Sequence, residues 1–164
     1  MMPDAMLTLR PAVPADVPVI LALIKALAAY EKDPHAVLAT EDSLLRDGFG
    51  ERPLFQVTMA EWDSHPMGFA FWFLTYSTWR GQPTLFLEDL FVIPEARGRG
   101  VGKALMRFLA RTALEKGCAR FMWNVLDWNQ LSIDFYESLG AKVLREWLTV
   151  RLDGEALQRL ASEG

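Results

Sequence analysis

An apolar run from Thr84 to Ile93 stops at Pro94, and three residues later the chain reads Arg97-Gly98-Arg99-Gly100-Val101-Gly102. Val101, Ala104, Leu105, Phe108 and Leu109 then recur at helical spacing, and Gly117 closes that pattern. A strand that gives way to a helix across a glycine-rich turn is the strongest constraint in the chain, because it calls for a sheet flanked by helices. The junction leaves the first N–H groups of the helix without internal partners, all aimed at one spot, with the positive end of the helix dipole behind them. Glycines let an anion approach the backbone, and Arg97, Arg99 and Lys103 add positive charge. A phosphate or pyrophosphate is the ligand this chemistry suits. The spacing is not that of a P-loop, since Ala104 follows Lys103 where a Ser or Thr is needed, and G-x-G-x-G is not the dinucleotide fingerprint. On glycine content alone the stretch reads equally as a flexible loop with solvated arginines.

The remaining elements follow from periodicity and punctuation. Met6–Arg10 reads as a first strand, broken by Pro11 and Pro14; Asp16–Tyr30 reads as a helix with Asp16 as N-cap and Ile20, Leu23, Ile24 and Leu27 on one face. Thr40–Asp47 is a short helix capped by Thr40 and stopped by Gly48. Leu54–Trp62 and Met67–Tyr76 form a hairpin around Asp63-Ser64-His65-Pro66. After the glycine turn, the helix Gly100–Lys116 leads to a strand Ala119–Leu126, a helix Leu131–Leu139 ended by Gly140, and a last strand Lys142–Arg151. A helical turn or two, Gly154–Ala161, follows. The three central strands come as an antiparallel set and the later ones alternate with helices, which predicts a mixed sheet with helices on both faces.

With 164 residues the chain is expected to be a single domain spanning 1–164. Its formal charge of −4 does not suit a phosphate-backbone binder, so nucleic acid is not an expected partner. No apolar stretch reaches the roughly 18 residues of a membrane span, and Met1–Leu9 lacks the basic start of a signal peptide. The single cysteine, Cys118, cannot form an internal bridge and fits a reducing compartment; a cytoplasmic location is expected. With no His near it in sequence, Cys118 reads as inert rather than nucleophilic, and the same scarcity of ligands argues against a metal site. The 6 Trp, 10 Phe and 3 Tyr exceed what a small core requires, which asks for a second use of aromatic rings.

Glu88 and Asp89 interrupt the third apolar run. Burying a carboxylate is costly unless it is paired or put to use, and adjacent residues on a regular strand point to opposite faces. The pair therefore reads either as a bulge that splays the strand open or as one solvent-facing carboxylate beside a buried one.

The pattern Arg97-x-x-Gly100-x-Gly102 resembles the acetyl-CoA signature of the GNAT N-acetyltransferase superfamily, and the resemblance extends along nearly the whole chain. "RPAVPADVPVILALIKALAAYEKD", "DGFGERPLF", "YSTWRGQPTLFLEDLFVIPEARGRGVG" and "VLDWNQLSIDFYESLGA" are similar to the spermidine/spermine acetyltransferase family. Ser77-Thr78-Trp79 and Leu126-Asp127-Trp128-Asn129-Gln130 are closer to its thialysine N-ε-acetyltransferase branch. The resemblance implies an α/β GNAT fold with a mixed, mostly antiparallel sheet, splayed at the cofactor site. It implies acetyl-CoA as acetyl donor, with Arg97, Gly98, Arg99, Gly100, Val101, Gly102 and Lys103 at the pyrophosphate. Leu90, Phe91 and Val92 would pair with the pantetheine amides, and Asn129 and Ser132 would complete the cofactor contacts, Asn129 also serving as an N-cap.

Acetylating an amine requires a group to take the ammonium proton and a group to protonate the departing thiolate. The resemblance assigns Glu88 as base, acting through water, and Tyr136 as general acid, with Asp89 binding charge near the amine. Tyr30, Glu31, Trp79, Trp123, Asn124, Glu146 and Trp147 would line the substrate pocket with Glu88 and Asp89. Carboxylates and aromatic faces together suit an alkyl ammonium. For Trp123 and Trp147 a place in the core is an equal reading. Polyamine enzymes of the family carry an acid where this chain has Ser77, and Ser138 stands where the resemblance leads one to expect a basic residue near the cofactor. The missing acid favours a shorter substrate: a diamine, a lysine-like amino acid such as thialysine, or another small primary amine. The expectation is thus an acetyl-CoA-dependent N-acetyltransferase for a small cationic amine, working by direct attack in a ternary complex as a homodimer. A CoA-binding sensor without turnover and a protein or peptide N-acetyltransferase are the alternatives.

Overall fold

The computed structural model describes residues 6–164; Met1–Ala5, part of the stretch read above for a signal peptide, lies outside them. The chain divides into two compact units, Met1–Asn124 and Val125–Gly164. In the first unit, β1 (Leu7–Pro11), β2 (Gln56–Trp62), β3 (His65–Ser77) and β4 (Gln82–Val92) pair antiparallel in chain order, and β5 (Arg120–Trp123) lies parallel to β4. Two helices, α1 (Val17–Tyr30) and α2 (Glu41–Gly48), precede β2, and α3 (Val101–Glu115) makes the crossover from β4 to β5.

Strand alternation sorts the sheet residues between two faces. Val57, Met59, Phe69 and Phe91 pack with Val17, Ile20, Leu23 and Leu27 of α1 and Leu44 of α2. On its own side, α3 buries Val101, Leu105, Met106, Leu109 and Ala113 and packs across β3 and β4. The expected mixed, mostly antiparallel sheet with helices on both faces is the observed one.

Local signals that act through the nearest residues are met. Thr40 Oγ1 accepts from Ser43 N–H at 3.1 Å while Ser43 Oγ accepts from Thr40 N–H at 2.9 Å, a reciprocal cap. Gly117 takes φ 73°, and Cys118 N–H closes on Ala113 O at 2.8 Å behind it. Asp63 and Ser64, at φ 48° and 66°, form a two-residue hairpin turn, so β3 starts at His65, earlier than the spacing predicts. Asp16 departs from expectation: its side chain does not cap α1. It accepts from Val13 N–H at 2.7 Å and pairs with the Arg10 guanidinium at 2.8 Å, which also reaches Glu61. That pairing holds the Asp16 carboxyl below its ordinary range. A cation arriving from β1 outcompetes the helix's own N–H groups.

The second unit holds α4 (Gln130–Ser138) and α5 (Gly154–Ser162). The strand predicted over Lys142–Arg151 does not form. Trp147 N–H bonds Leu144 O at 3.3 Å, so Arg145 and Glu146 sit in a turn, and no ladder partner meets the flanking backbone among the described residues. Alternating apolar residues state a preference for extended backbone, but a strand exists only beside another.

Gly68 on β3 faces β4 closely: a Cβ there would lie 2.5 Å from Phe91 O. Gly68→Ala should therefore cost about 1–3 kcal/mol of stability by pushing the strands apart, read as a lower Tm, and should weaken any ligand held along Leu90–Val92.

Candidate functional site

The carboxylates that interrupt the third apolar run do create a bulge. Phe71 pairs with Asp89 and Trp72 with Leu87, so Glu88 is the extra residue in β4. The β4–β5 ladder stops at the same place, its last pair being Leu87 with Trp123. From Glu88 to Val92 the second edge of β4 has no strand partner among the described residues; of the stretch Leu90–Val92, Phe91 O faces Gly68 of β3 and Val92 O accepts from Arg97, which leaves the backbone at Leu90 as the part of that edge open to an extended ligand. Trp123 and Asn124 leave the ladder beside Glu88, with the Trp123 ring 4.8 Å from that of Phe121.

The bulge decides which carboxylate faces where. Glu88 is exposed, whereas Asp89 shares the face of its cross-strand partner Phe71, which packs against the α1 core. Burial, then the charges of Glu88 and Glu31, pushes the Asp89 carboxyl up to about 6. Glu31 caps the C-terminus of α1 and is itself raised by partial burial. Three acids thus converge from α1 and β4. Among the described residues no side chain supplies Asp89 with a resolved counter-charge, a setting that suits a cationic ligand.

The glycine turn follows β4 directly. Gly98 and Gly100 take φ 77° and 82°, and a Cβ on either would meet nothing within 4 Å, so open space lies over both. The first backbone bond of α3 runs from Ala104 N–H to Gly100 O at 2.9 Å, and no side chain caps the helix. The N–H groups of Val101, Gly102 and Lys103 therefore have no partner within the helix. Arg97 and Arg99 do not simply project into solvent: Arg97 lies 5.0 Å from the Tyr30 ring centre, and Arg99 lies 5.6 Å from that of Trp62. Trp62 was not among the residues the sequence singles out, and no local pattern points to it.

Trp79 stands at the tip of the β3–β4 hairpin, 82% exposed. Ser77 builds that tip, accepting from Arg80 N–H through Oγ at 3.2 Å and from Gly81 N–H through its carbonyl at 2.9 Å. In the second unit, Asn129 Oδ1 accepts from Ser132 N–H at 3.3 Å and so caps α4, while Tyr136 is half-buried with its ring 5.4 Å from Phe135. Glu146 and Trp147 lie in and beside the turn that replaces the expected strand, both exposed. A cavity of about 490 Å³ between Pro11, Leu54, Trp72, Phe108, Thr112 and Lys116 is lined by none of these candidate residues. Among the described residues no group of three His, Cys, Asp or Glu could hold a metal ion, and no helix is long and apolar enough to cross a membrane.

A bulged strand with an open edge, followed by a glycine turn and an uncapped helix, matches a known pattern along most of the chain: the acetyltransferase (GNAT) family profile fits residues 21–141. The chain belongs to the GNAT acetyltransferase family. This acetyltransferase is 39% identical over 170 residues to thialysine N-epsilon-acetyltransferase of Sus scrofa, covering 97% of this chain and 99% of that one. It is 38% identical over 165 residues to spermidine/spermine N(1)-acetyltransferase-like protein 1 of Homo sapiens, covering 94% of this chain but 24% of that longer protein. Among solved structures, an integron cassette protein from V. cholerae superposes with a TM-score of 0.81 at 27% identity, over 96% of this chain and 98% of that one. The fold and the enzyme class expected from the sequence are therefore those of its relatives.

The raised Asp89 carboxyl makes a stability prediction for this acetyltransferase. The folded chain holds that proton up to about pH 6, against an ordinary value of 3.8. Below both values the acid is neutral in either state. As pH rises between them the unfolded chain ionises first, so stability falls, and above about 6 the full penalty, about 1–3 kcal/mol, is present. Asp89→Asn should therefore raise Tm at pH 7 and leave it nearly unchanged at pH 4, measured by calorimetry.

Proposed function

We propose that this enzyme transfers the acetyl group of acetyl-CoA to a primary amine of a small cationic substrate, by direct attack in a ternary complex and with the whole chain acting as one domain. The observation that carries the reading is the coincidence of the Glu88 bulge, the end of the β4–β5 ladder and the half-buried acid Asp89 at one point of the sheet. The cofactor fits the chain on two counts: the open space over Gly98 and Gly100 beside the uncapped start of α3, and the open edge of β4 at Leu90. Acetyl-CoA supplies an activated thioester whose carbonyl carbon accepts the amine and whose sulfur leaves.

The residues divide the work by their chemistry. Backbone N–H groups from Gly98 to Lys103 bind the pyrophosphate, and the edge of β4 pairs with the pantetheine amides. Asn129 and Ser132 add cofactor contacts at the start of α4. Asp89 and Glu31 attract the substrate's ammonium charge, and Tyr30, Trp79, Trp123, Asn124, Glu146 and Trp147 contribute to the pocket. An alkyl ammonium of pKa about 10.4 must lose a proton before it attacks. Glu88, exposed at the bulge, takes that proton through a water; Tyr136 gives one to the departing sulfur as the C–S bond breaks, and the second proton of the attacking nitrogen restores the phenol. The products are an N-acetylated amine and CoA thiol.

Ser77 supports a short substrate. It spends its side chain on the hairpin tip and brings no acid to a second ammonium. A lysine-like amino acid or a diamine suits this pocket better than a long polyamine, in keeping with the substrate in the name of the pig relative. A thiol-release assay should give higher kcat/KM for thialysine and lysine than for spermidine, and KM for the amine should rise as pH falls through about 6, where Asp89 takes up its proton. Glu88→Gln and Tyr136→Phe should each lower kcat about 10²-fold or more; near wild-type kcat in both overturns the mechanism. CoA binding without acetylation of any amine would favour the sensor reading instead.

A second copy of the chain is the proposed partner. In the second unit Leu148 and Val150 are 84% and 92% exposed, Trp147 lies beside them, and α5 buries no residue. Apolar surface left open along a continuous stretch marks an interaction site. Light scattering should show a dimer that Leu148→Glu with Val150→Glu converts to monomer; a wild-type monomer at assay concentration overturns it.

A further inference from the structure

Arg97 opens the glycine turn, yet its guanidinium is turned back toward the strand and helix behind it. Its Nε–H donates to Val92 O at 3.0 Å, at the end of β4. Its Cζ lies 5.0 Å from the ring centre of Tyr30, the last residue of α1, and 5.5 Å from that of Phe91, which is buried on β4. One planar cation therefore touches the end of the helix that carries Tyr30 and Glu31, the strand that carries Asp89, and the loop that carries Gly98 and Gly100. Gly98 and Gly100 have open space around their Cα atoms and left-handed backbone, so neither glycine fixes the loop's course. The loop is held by two of its own side chains, Arg97 on Tyr30 and Phe91 and Arg99 over Trp62.

We propose that Arg97 is a positioning residue that couples the acceptor side of the site to the donor side: through the Tyr30 ring, the end of α1 sets where the glycine turn presents its N–H groups to CoA. The coupling rests on the function proposed above, with CoA at the glycine turn and the amine beside Tyr30, Glu31 and Asp89. A guanidinium is required, because the contact uses a flat, weakly hydrated cation stacked on rings and an Nε–H aimed at a carbonyl; a lysine ammonium offers the charge without the plane. The phenol of Tyr30 is not required for the stacking, since its ring face is what meets Arg97.

The test is the dissociation constant of CoA, measured by titration calorimetry on wild type, Tyr30→Ala, Tyr30→Phe, Arg97→Lys and the double variant Tyr30→Ala/Arg97→Lys. A thermal melt of each verifies folding. Tyr30→Ala changes an acceptor-side residue and should still weaken CoA roughly fivefold to tenfold, the scale of a lost cation–π contact. Tyr30→Phe should stay within about twofold of wild type. Arg97→Lys should weaken CoA as Tyr30→Ala does, and the double variant should be no weaker than Arg97→Lys alone, because both remove one interaction. Unchanged CoA affinity in a folded Tyr30→Ala overturns the coupling and leaves the proposed function standing, as do additive losses in the double variant. A wild-type chain that binds no CoA overturns the reading of the glycine turn and the coupling with it.

Discussion

One extra residue in one strand organises this molecule. Because Glu88 is unmatched across β3, β4 changes its phase at that point: the residues before it and after it present opposite parities to the same face. The parallel ladder with β5 ends at that point. A regular strand there would carry the ladder onward, seal the edge at Leu90 and turn Asp89 away from the α1 side. The open edge, the exposed Glu88 and the half-buried Asp89 are three results of one irregularity.

The cost of this arrangement falls on Asp89. Its neighbours are the apolar face of β3 and β4 and two further acids, so the folded chain holds a carboxyl it would rather keep protonated. At the start of the sheet a charge group is resolved differently: Arg10 binds Asp16 and Glu61 together and ties β1 to β2. A cation shared by two acids at one end of the sheet contrasts with three acids at the β4 bulge that have no resolved cation among the described residues.

What could be read from the sequence depended on distance along the chain. Thr40, Gly117 and the Glu88-Asp89 interruption act through neighbours a few residues away, and each does in the structure what its local chemistry suggests. Asp16 was legible as an acid at a helix start but not as the partner of Arg10, since that choice depends on β1 folding back beside it. The Lys142–Arg151 stretch has a strand's alternation and no ladder, because pairing is a property of two segments. Arg97 looked like a phosphate ligand by its place in the glycine motif; that Tyr30 and Phe91 lie under its guanidinium follows only from the way α1 and β4 pack.

The connectivity of the sheet sets which contacts are local. β2, β3 and β4 are joined by short hairpins, with Asp63-Ser64 in one turn and Ser77–Gly81 in the other, so the pairing that contains the Glu88 bulge is made between chain neighbours. β5 is joined to β4 only through α3, a connection of longer range. The phase change in β4 is thus a property of its pairing with β3, and the parallel ladder with β5 runs out at Leu87 against it. The gap is built into the sheet; no paired strand has to be peeled away to make it.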